Sequence, residues 1–395
     1  MKEFKLMEFE KFIPTRLVFG SGCTGRIHSM KLPGKKALLV ISNGRSTKAN
    51  GSLARIQNEL DLAGVSHVLF DKVEANPLNS TVRAGVQAAL DNACDFIVAL
   101  GGGSVMDAAK AMAIVVTNGG DYWDYIMSGS GGKKPVTRAP LPLVCITTTA
   151  GTGSETDRGA VISNPDTREK VGLKTEALYP VLSFVDPELM VSVPPAFTAY
   201  QGWDALSHNM EGYISTQANI MSDVFALPGV EHVGRHLARA VRNGADLEAH
   251  EHVALGNSLA GMLMCVGGVG SQHSLEDALS AFHHDLPHGA GLILLSKAYF
   301  QHFIDRHVCD DRFIRMAQAL GMEDASDPQD FITMLDRLQK DCGVDSLKMS
   351  DYGITPGEFP DIIRNAKEVS GRLFQFDRVY LEDEDCMDIL MKSYR

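Results

Sequence analysis

Asp204 and His208 stand four apart in Gln201-Gly-Trp-Asp-Ala-Leu-Ser-His-Asn-Met-Glu211, a helical pattern that projects both side chains from one face. A carboxylate and an imidazole so placed form either an ion pair on a helix surface or two vertices of a metal site. Two further histidines stand in unusual company, His273 in Gly270-Ser-Gln-His-Ser-Leu-Glu276 and His288 in Leu286-Pro-His-Gly-Ala290. Four separated nitrogen and oxygen donors complete a divalent site, with room for a substrate oxygen as an added ligand. His283 and His284 compete for the same work, but adjacent side chains on a helix diverge, so they are expected at the surface or in a supporting role.

A second kind of chemistry is written into residues 95–110. Asp95-Phe-Ile-Val-Ala-Leu100 reads as a buried strand and runs directly into Gly101-Gly-Gly-Ser-Val-Met-Asp-Ala-Ala-Lys110, whose later part is helix-forming. Glycines let a backbone approach a pyrophosphate closely, and the free N–H groups of the following helix attract its charge. The spacing matches neither the Rossmann fingerprint nor the P-loop. Thr147-Thr-Thr-Ala-Gly-Thr-Gly-Ser-Glu155 follows the apolar run Leu141-Pro-Leu-Val-Cys-Ile146. Hydroxyls at a strand end suit a ligand's amide or hydroxyl groups, or simply cap a helix.

These segments must be positioned by the chain around them. From about residue 35 to 190, short apolar runs alternate with amphipathic stretches, beginning with Lys36-Ala-Leu-Leu-Val-Ile-Ser42, Ser52-Leu-Ala-Arg-Ile-Gln-Asn-Glu-Leu60 and Val65-Ser-His-Val-Leu-Phe70. Strands this apolar imply a parallel sheet covered by helices on both faces. After Pro194-Pro195 helix-length patterns follow, clearest at 198–212, 254–265 and 331–342. The expected division is an α/β domain over 1–190 and an all-helical domain over 191–395. The 395 residues carry a net charge of -12, which argues against a nucleic-acid partner, because that affinity comes from clustered Lys and Arg. No apolar run reaches the length of a bilayer span, and the acids in the first ten residues oppose a signal peptide, so a cytoplasmic location is expected. The 7 cysteines are scattered, with no C-x-x-C pair, and read as reduced thiols.

Taken together, Gly101 to Lys110, Thr148 to Glu155, Val185-Asp-Pro-Glu188 and Gly202 to Tyr213 occur in the order and at the approximate spacing of the iron-containing (group III) alcohol dehydrogenases, which the chain resembles from Pro14 past Pro287. The resemblance implies an N-terminal α/β dinucleotide-binding domain, an all-α C-terminal domain of dehydroquinate synthase-like architecture, and an active site in the cleft between them. It implies that Asp204, His208, His273 and His288 bind one catalytic metal, ordinarily Fe(II) and sometimes Zn(II). Cofactor contacts carried over by it fall on Asn76, Gly102, Gly103, Ser104, Asp107, Thr148, Thr149, Thr152, Val161 and Lys170. Three departures stand out: Asp277 occupies a position where many members have a second His, the interval from His273 to His288 is longer by a residue, and Asp157 replaces a Thr that usually lines the cofactor. A histidine proton relay is therefore in doubt, and Asp277 becomes a candidate near the metal.

The implied activity is hydride transfer between a nicotinamide and a small primary alcohol, diol or aldehyde, with metal Lewis acidity stabilising the alkoxide. A metal-dependent lyase like dehydroquinate synthase, which shares the architecture, would need Lys and Arg for an anionic substrate; residues 201–213 and 267–290 contain none. A catalytically silent cofactor-binding relative would be expected to lack a ligand, and none of the four is missing. The first strand ends without an acid for a ribose 2′-OH and continues as Ser42-Asn-Gly-Arg-Ser-Thr-Lys48, resembling the loop of NADP-using relatives. Either Ser42, Gly44, Arg45 and Ser46 surround a 2′-phosphate, with Arg45 and Lys48 offering positive charge and Ser46 a hydroxyl, so that NADP is accepted at least as well as NAD, or the loop is merely solvated. Arg16-Leu-Val-Phe19 resembles the family's edge strand and leads to the expectation of a homodimer or larger homo-oligomer.

Overall fold

Leu38, Leu39, Val40 and Ile41 are all completely buried, so both faces of their strand are covered, as the unbroken apolar run requires. The computed structural model describes residues 9–394; the acidic start from which no signal peptide was expected lies mostly outside them. One compact unit comprises Ile13–Thr149 and Gly153–Ser192. Its elements are β1 (Arg16–Phe19), β2 (Lys36–Ser42), α1 (Ser46–Ala49), α2 (Ser52–Leu62), β3 (Ser66–Val73), α3 (Asn79–Asp91), β4 (Phe96–Gly101), α4 (Gly103–Asn118), β5 (Leu143–Thr147), β6 (Gly159–Asn164), β7 (Glu169–Lys174) and β8 (Leu182–Val185).

Six of these strands form one parallel sheet in the order β1-β8-β5-β4-β2-β3. Alternate residues Ala37, Leu39, Ile41, Phe96, Val98 and Leu100 join the core shared with Leu53, Ile56 and Leu60 of α2. Because β3 lies on one side of β2 and β4 on the other, the chain direction across the sheet reverses there. The carboxyl ends of β2 and β4 flank that switch point, where open α/β sheets bind ligands. The strand–helix rhythm breaks after β5. In place of a helix, β6 and β7 form an antiparallel hairpin with Gly159 opposite Lys174. Gly, Ser and Asn in β6 and three charged residues in β7 dilute the apolar signal that marks the other strands.

The second unit is helical, containing Val193 onward together with residues 9–12 and Ala150–Thr152. Its helices are α5 (Pro195–Ile214), α6 (Ile220–Arg242), α7 (Leu247–Met264), α8 (Ser271–Phe282), α9 (His288–Ile304), α10 (Asp310–Ala319), α11 (Gln329–Asp341), α12 (Phe359–Ser370) and α13 (Asp383–Ser393). Pro195 opens α5 at a position where its missing N–H costs nothing. From Gly202 to Ile214 every residue of α5 is buried, so the helix is the unit's centre, and polar groups on it need partners. None of the described helices is long and apolar enough to cross a membrane.

Candidate active site

The helical unit gathers the metal-ligating types around α5. Asp204 Oδ1 lies 3.6 Å from His273 Nε2 on α8 and 3.7 Å from His288 Nε2, the first residue of α9. Donors that each sit about 2.0–2.2 Å from one ion in tetrahedral array are separated by roughly 3.4 Å, so these spacings fit ligands of a single metal. Asp204 and His273 are 4% and 5% exposed, yet Asp204 Oδ1 and His273 Nε2 make no hydrogen bond among the described residues. Buried polar atoms without partners are costly, and a cation between them removes that cost.

Among the described residues, Asp204, His273 and His288 have ligand atoms within 4.8 Å of one another, and His208 does not join that set. Its ring lies 4.2 Å from that of His273 between centroids, while its Nδ1 faces the Asp204 carbonyl at 3.0 Å and Asp204 Oδ1 at 3.1 Å. The structure thus brings three of the four expected ligands into one set and leaves His208 beside them. His283 is placed elsewhere, with Nε2 3.2 Å from Glu358.

Two carboxylates that the sequence reading passed over complete the arrangement. Glu211, one turn beyond His208 on α5, accepts from His273 Nδ1 at 2.6 Å. Glu276 on α8 contacts His288 Nδ1 in the same way. A carboxylate on Nδ1 holds the ring proton there and leaves Nε2 as the electron-pair donor. The spacings Asp204-x3-His208-x2-Glu211 and His273-x2-Glu276 carry the signal, since residues three and four apart share a helix face. Burial alone works against charge on His273, but Glu211 and Asp204 overcome it and push its pKa up to about 10. Burial likewise opposes charge on Asp204, and the imidazoles of His208 and His288 hold its pKa well below the carboxylate range. Metal binding must therefore expel a proton, so affinity rises with pH. Glu211→Gln keeps the side-chain shape and removes the charge; it is expected to weaken metal affinity about 10- to 100-fold, measured by chelator competition. Unchanged affinity would show that Glu211 only fills space.

The short turn into α9 is fixed by a backbone contact. A Cβ on Gly289 would stand 2.0 Å from the Tyr200 carbonyl oxygen, so the residue after His288 has to be glycine for α9 to start against α5.

In the α/β unit, Gly102 caps α4, Gly103 and Ser104 begin its first turn, and no side chain among the described residues caps its N–H groups. That leaves donors for an anion at the carboxyl end of β4. A Cβ on Gly102 would come 2.6 Å from Thr149 Oγ1, and Thr148 N–H donates to the Gly101 carbonyl at 3.1 Å. The glycine turn and the threonines after β5 are therefore one packed surface. Asn76, in the loop after β3, has a left-handed φ of 50°. Val161 and Lys170 sit on the hairpin. Thr152 belongs to the segment grouped with the helical unit, where neighbouring Gly151 lies against Asp204 and Gln201.

Asp107 and Asp157 serve a buried network. Lys110 Nζ donates to Asp157 Oδ1 at 2.6 Å and to Ser154 and Gly159 oxygens at 2.8 Å. Asp107 accepts from Ser154 Oγ at 2.7 Å and Val161 N–H at 2.9 Å. Burial raises the Asp107 pKa to about 6 against the pull of Lys110. Asp157 thus joins α4 to the loop before β6 by neutralising a lysine that is completely buried.

After β2, Ser42 is half-buried and Gly44, Arg45 and Ser46 are exposed. Lys48, counted from sequence as free positive charge, is engaged with Asp71 of β3 at 2.5 Å. Arg45 remains as the uncommitted cation of this loop among the described residues.

Comparison with known proteins gives a consistent result. Residues 14–187 match the family described as iron-containing alcohol dehydrogenase, and residues 198–394 match the C-terminal part of the Fe-containing alcohol dehydrogenase family. The chain is 32% identical over 360 residues to 1,3-propanediol dehydrogenase of Klebsiella pneumoniae, covering 89% of this chain and 90% of that protein. It is 31% identical over 372 residues to the NAD-dependent methanol dehydrogenase of Bacillus methanolicus, covering 90% and 93%. An archaeal halo-thermophilic Red Sea brine pool alcohol dehydrogenase superposes with a TM-score of 0.93 at 31% identity over 98% of this chain and 99% of the other.

Proposed function

This chain belongs to the iron-containing alcohol dehydrogenase family, and on that premise we propose that it interconverts small primary alcohols or diols and their aldehydes, using a nicotinamide dinucleotide and iron(II). The observation that carries this reading is the buried pair Asp204 Oδ1 and His273 Nε2, which make no hydrogen bond among the described residues and have His288 Nε2 alongside. Asp204, His273 and His288 hold the ion, with His208 as the fourth donor. Bound there, iron(II) supplies Lewis acidity toward the alcohol oxygen, and the nicotinamide supplies the hydride acceptor. Glu211 and Glu276 hold the two imidazoles in the ligating tautomer. The N-terminal turn of α4, with Gly102, Gly103 and Ser104, receives the pyrophosphate. Ser42, Asn76, Asp107, Thr148, Thr149, Thr152, Val161 and Lys170 complete the proposed cofactor environment, Asp107 acting through the backbone of β6.

Relatives named for 1,3-propanediol and methanol support small alcohols and diols as the substrate class. The experiment is metal analysis of anaerobically purified protein, coupled to an alcohol and aldehyde panel read at the reduced-nicotinamide absorbance. Turnover that survives complete removal of divalent metal would overturn the reading.

For the cofactor, the reading is that NADP(H) serves at least as well as NAD(H), with Gly44, Arg45 and Ser46 beside the 2′-phosphate. It is supported by the exposed Arg45 and by the lack of an acid at the end of β2. Arg45→Ala should lower the NADP-to-NAD ratio of kcat/KM by about tenfold, the worth of one charged hydrogen bond. A strong NAD preference that this substitution leaves untouched would refute the assignment. The homodimer reading is supported by β1, which among the described residues has a partner strand on one side only.

A further inference from the structure

The three helices that carry the candidate metal ligands converge on one short segment near the end of the chain. Asp204 and His208 lie on α5, His273 on α8 and His288 on α9. Residues 375–378 are fastened to the end of α5: Arg378 Nε donates to the Ile214 carbonyl at 2.8 Å, and Thr216 N–H donates to the Phe376 carbonyl at 2.7 Å. From that anchor Asp377 reaches the other two helices. Its Oδ1 accepts from Ser271 N–H at 3.2 Å and from the Tyr299 hydroxyl at 2.7 Å, and its Oδ2 accepts from Ser271 Oγ at 2.5 Å. Ser271 opens α8 just ahead of His273, and Tyr299 lies about three turns along α9 from His288.

Asp377 is buried, so these donors replace the water it gives up. Burial pushes its pKa up to about 7, and the donors on Ser271 and Tyr299 pull the other way. A Cβ on Gly270 would stand 2.4 Å from both Asp377 Oδ1 and Tyr299 Oη; the glycine gives the carboxylate and the phenol room to meet the start of α8. Glu211 of α5 grips the same turn through His273 Nδ1. Further along α8, oxygens of Glu276 and Asp277 and a ring nitrogen of His288 lie within 4.8 Å of one another, so a shift of α8 against α9 disturbs His288 as well. A metal shell holds its ligand distances to within about 0.2 Å, and small displacements of these helices are felt as lost affinity.

We infer that Asp377 is a positioning residue for the metal shell: through Ser271 and Tyr299, and not through any ligand, it ties α8 and α9 to the end of α5 and so sets the spacing of Asp204, His273 and His288. The inference rests on the metal site proposed above.

The test titrates metal-free, full-length protein with Co(II) in competition with a chelator, because the visible absorption of that ion follows the geometry of its ligands. Asp377→Ala is expected to weaken Co(II) binding by roughly tenfold to a hundredfold, as for other groups that orient metal ligands, and to change the absorption of the bound ion. Asp377→Asn should stay within about threefold of the parent with a parent-like spectrum, since the amide oxygen still accepts and the Ser271 hydroxyl accepts as readily as it donates. A role in stability alone would lower the melting temperature of the metal-free alanine variant and leave affinity and spectrum at parent values. That outcome overturns the inference and leaves the dehydrogenase reading standing, and so does an asparagine variant as weak as the alanine one. If Asp377→Ala does not fold, Tyr299→Phe decides the matter, because it keeps the ring and removes the tie to α9: weakened binding supports the inference, and parent affinity with a parent spectrum overturns it. A parent that binds no Co(II) sinks the metal site and the inference together.

Discussion

His273→Ala is expected to abolish turnover, to roughly a thousandth of the parent or less, and to lower metal content in the purified protein. The imidazole supplies Nε2 to the set formed with Asp204 and His288, and alanine offers no donor. The same change strips Glu211 of its 2.6 Å partner and leaves its carboxylate, 1% exposed, with a lost contact worth about 1–3 kcal/mol. That cost lowers the melting temperature without unfolding a chain of this size. A cooperative thermal transition together with absent metal and absent turnover is the expected combination. Full metal occupancy with normal turnover would remove His273 from the ligand set.

The second large effect is expected at Gly103→Val. Gly103 is buried and is the first residue of α4, directly after the cap at Gly102. A branched side chain there occupies the space a pyrophosphate would use against the first-turn N–H groups, and it stiffens χ1 at the helix start. The cofactor dissociation constant should rise at least tenfold, about 1.4 kcal/mol, in a fluorescence titration with reduced nicotinamide. The metal content should stay at the parent level, because the candidate ligands belong to the other compact unit. An unchanged titration would mean that the glycine only turns the chain.

Much of this was legible in the sequence because it is local. Unbroken apolar runs marked β2, β4 and β5 within a residue or two of their bounds, since a strand covered on both faces has no polar positions to alternate with. The spacing of Asp204 and His208 placed them on one helical face, because a turn of helix takes close to four residues. The glycine turn between β4 and α4 was likewise a property of adjacent residues.

What remained hidden was pairing between residues far apart in the chain. Glu211 meets His273 across 62 positions, and no periodicity within either helix announces it. The hairpin of β6 and β7 was missed because polar residues and glycine masked its strands. Lys48 looked like free charge until β3 brought Asp71 to it, and Asp157 looked like a cofactor-side change until α4 brought Lys110. Sequence by itself determined the residue types, the element types and the spacing along each element, since those follow from local backbone geometry. Only the tertiary structure decided which carboxylate holds which imidazole and which cation is already neutralised, because a buried charge takes its partner from whatever chain segment the packing places beside it.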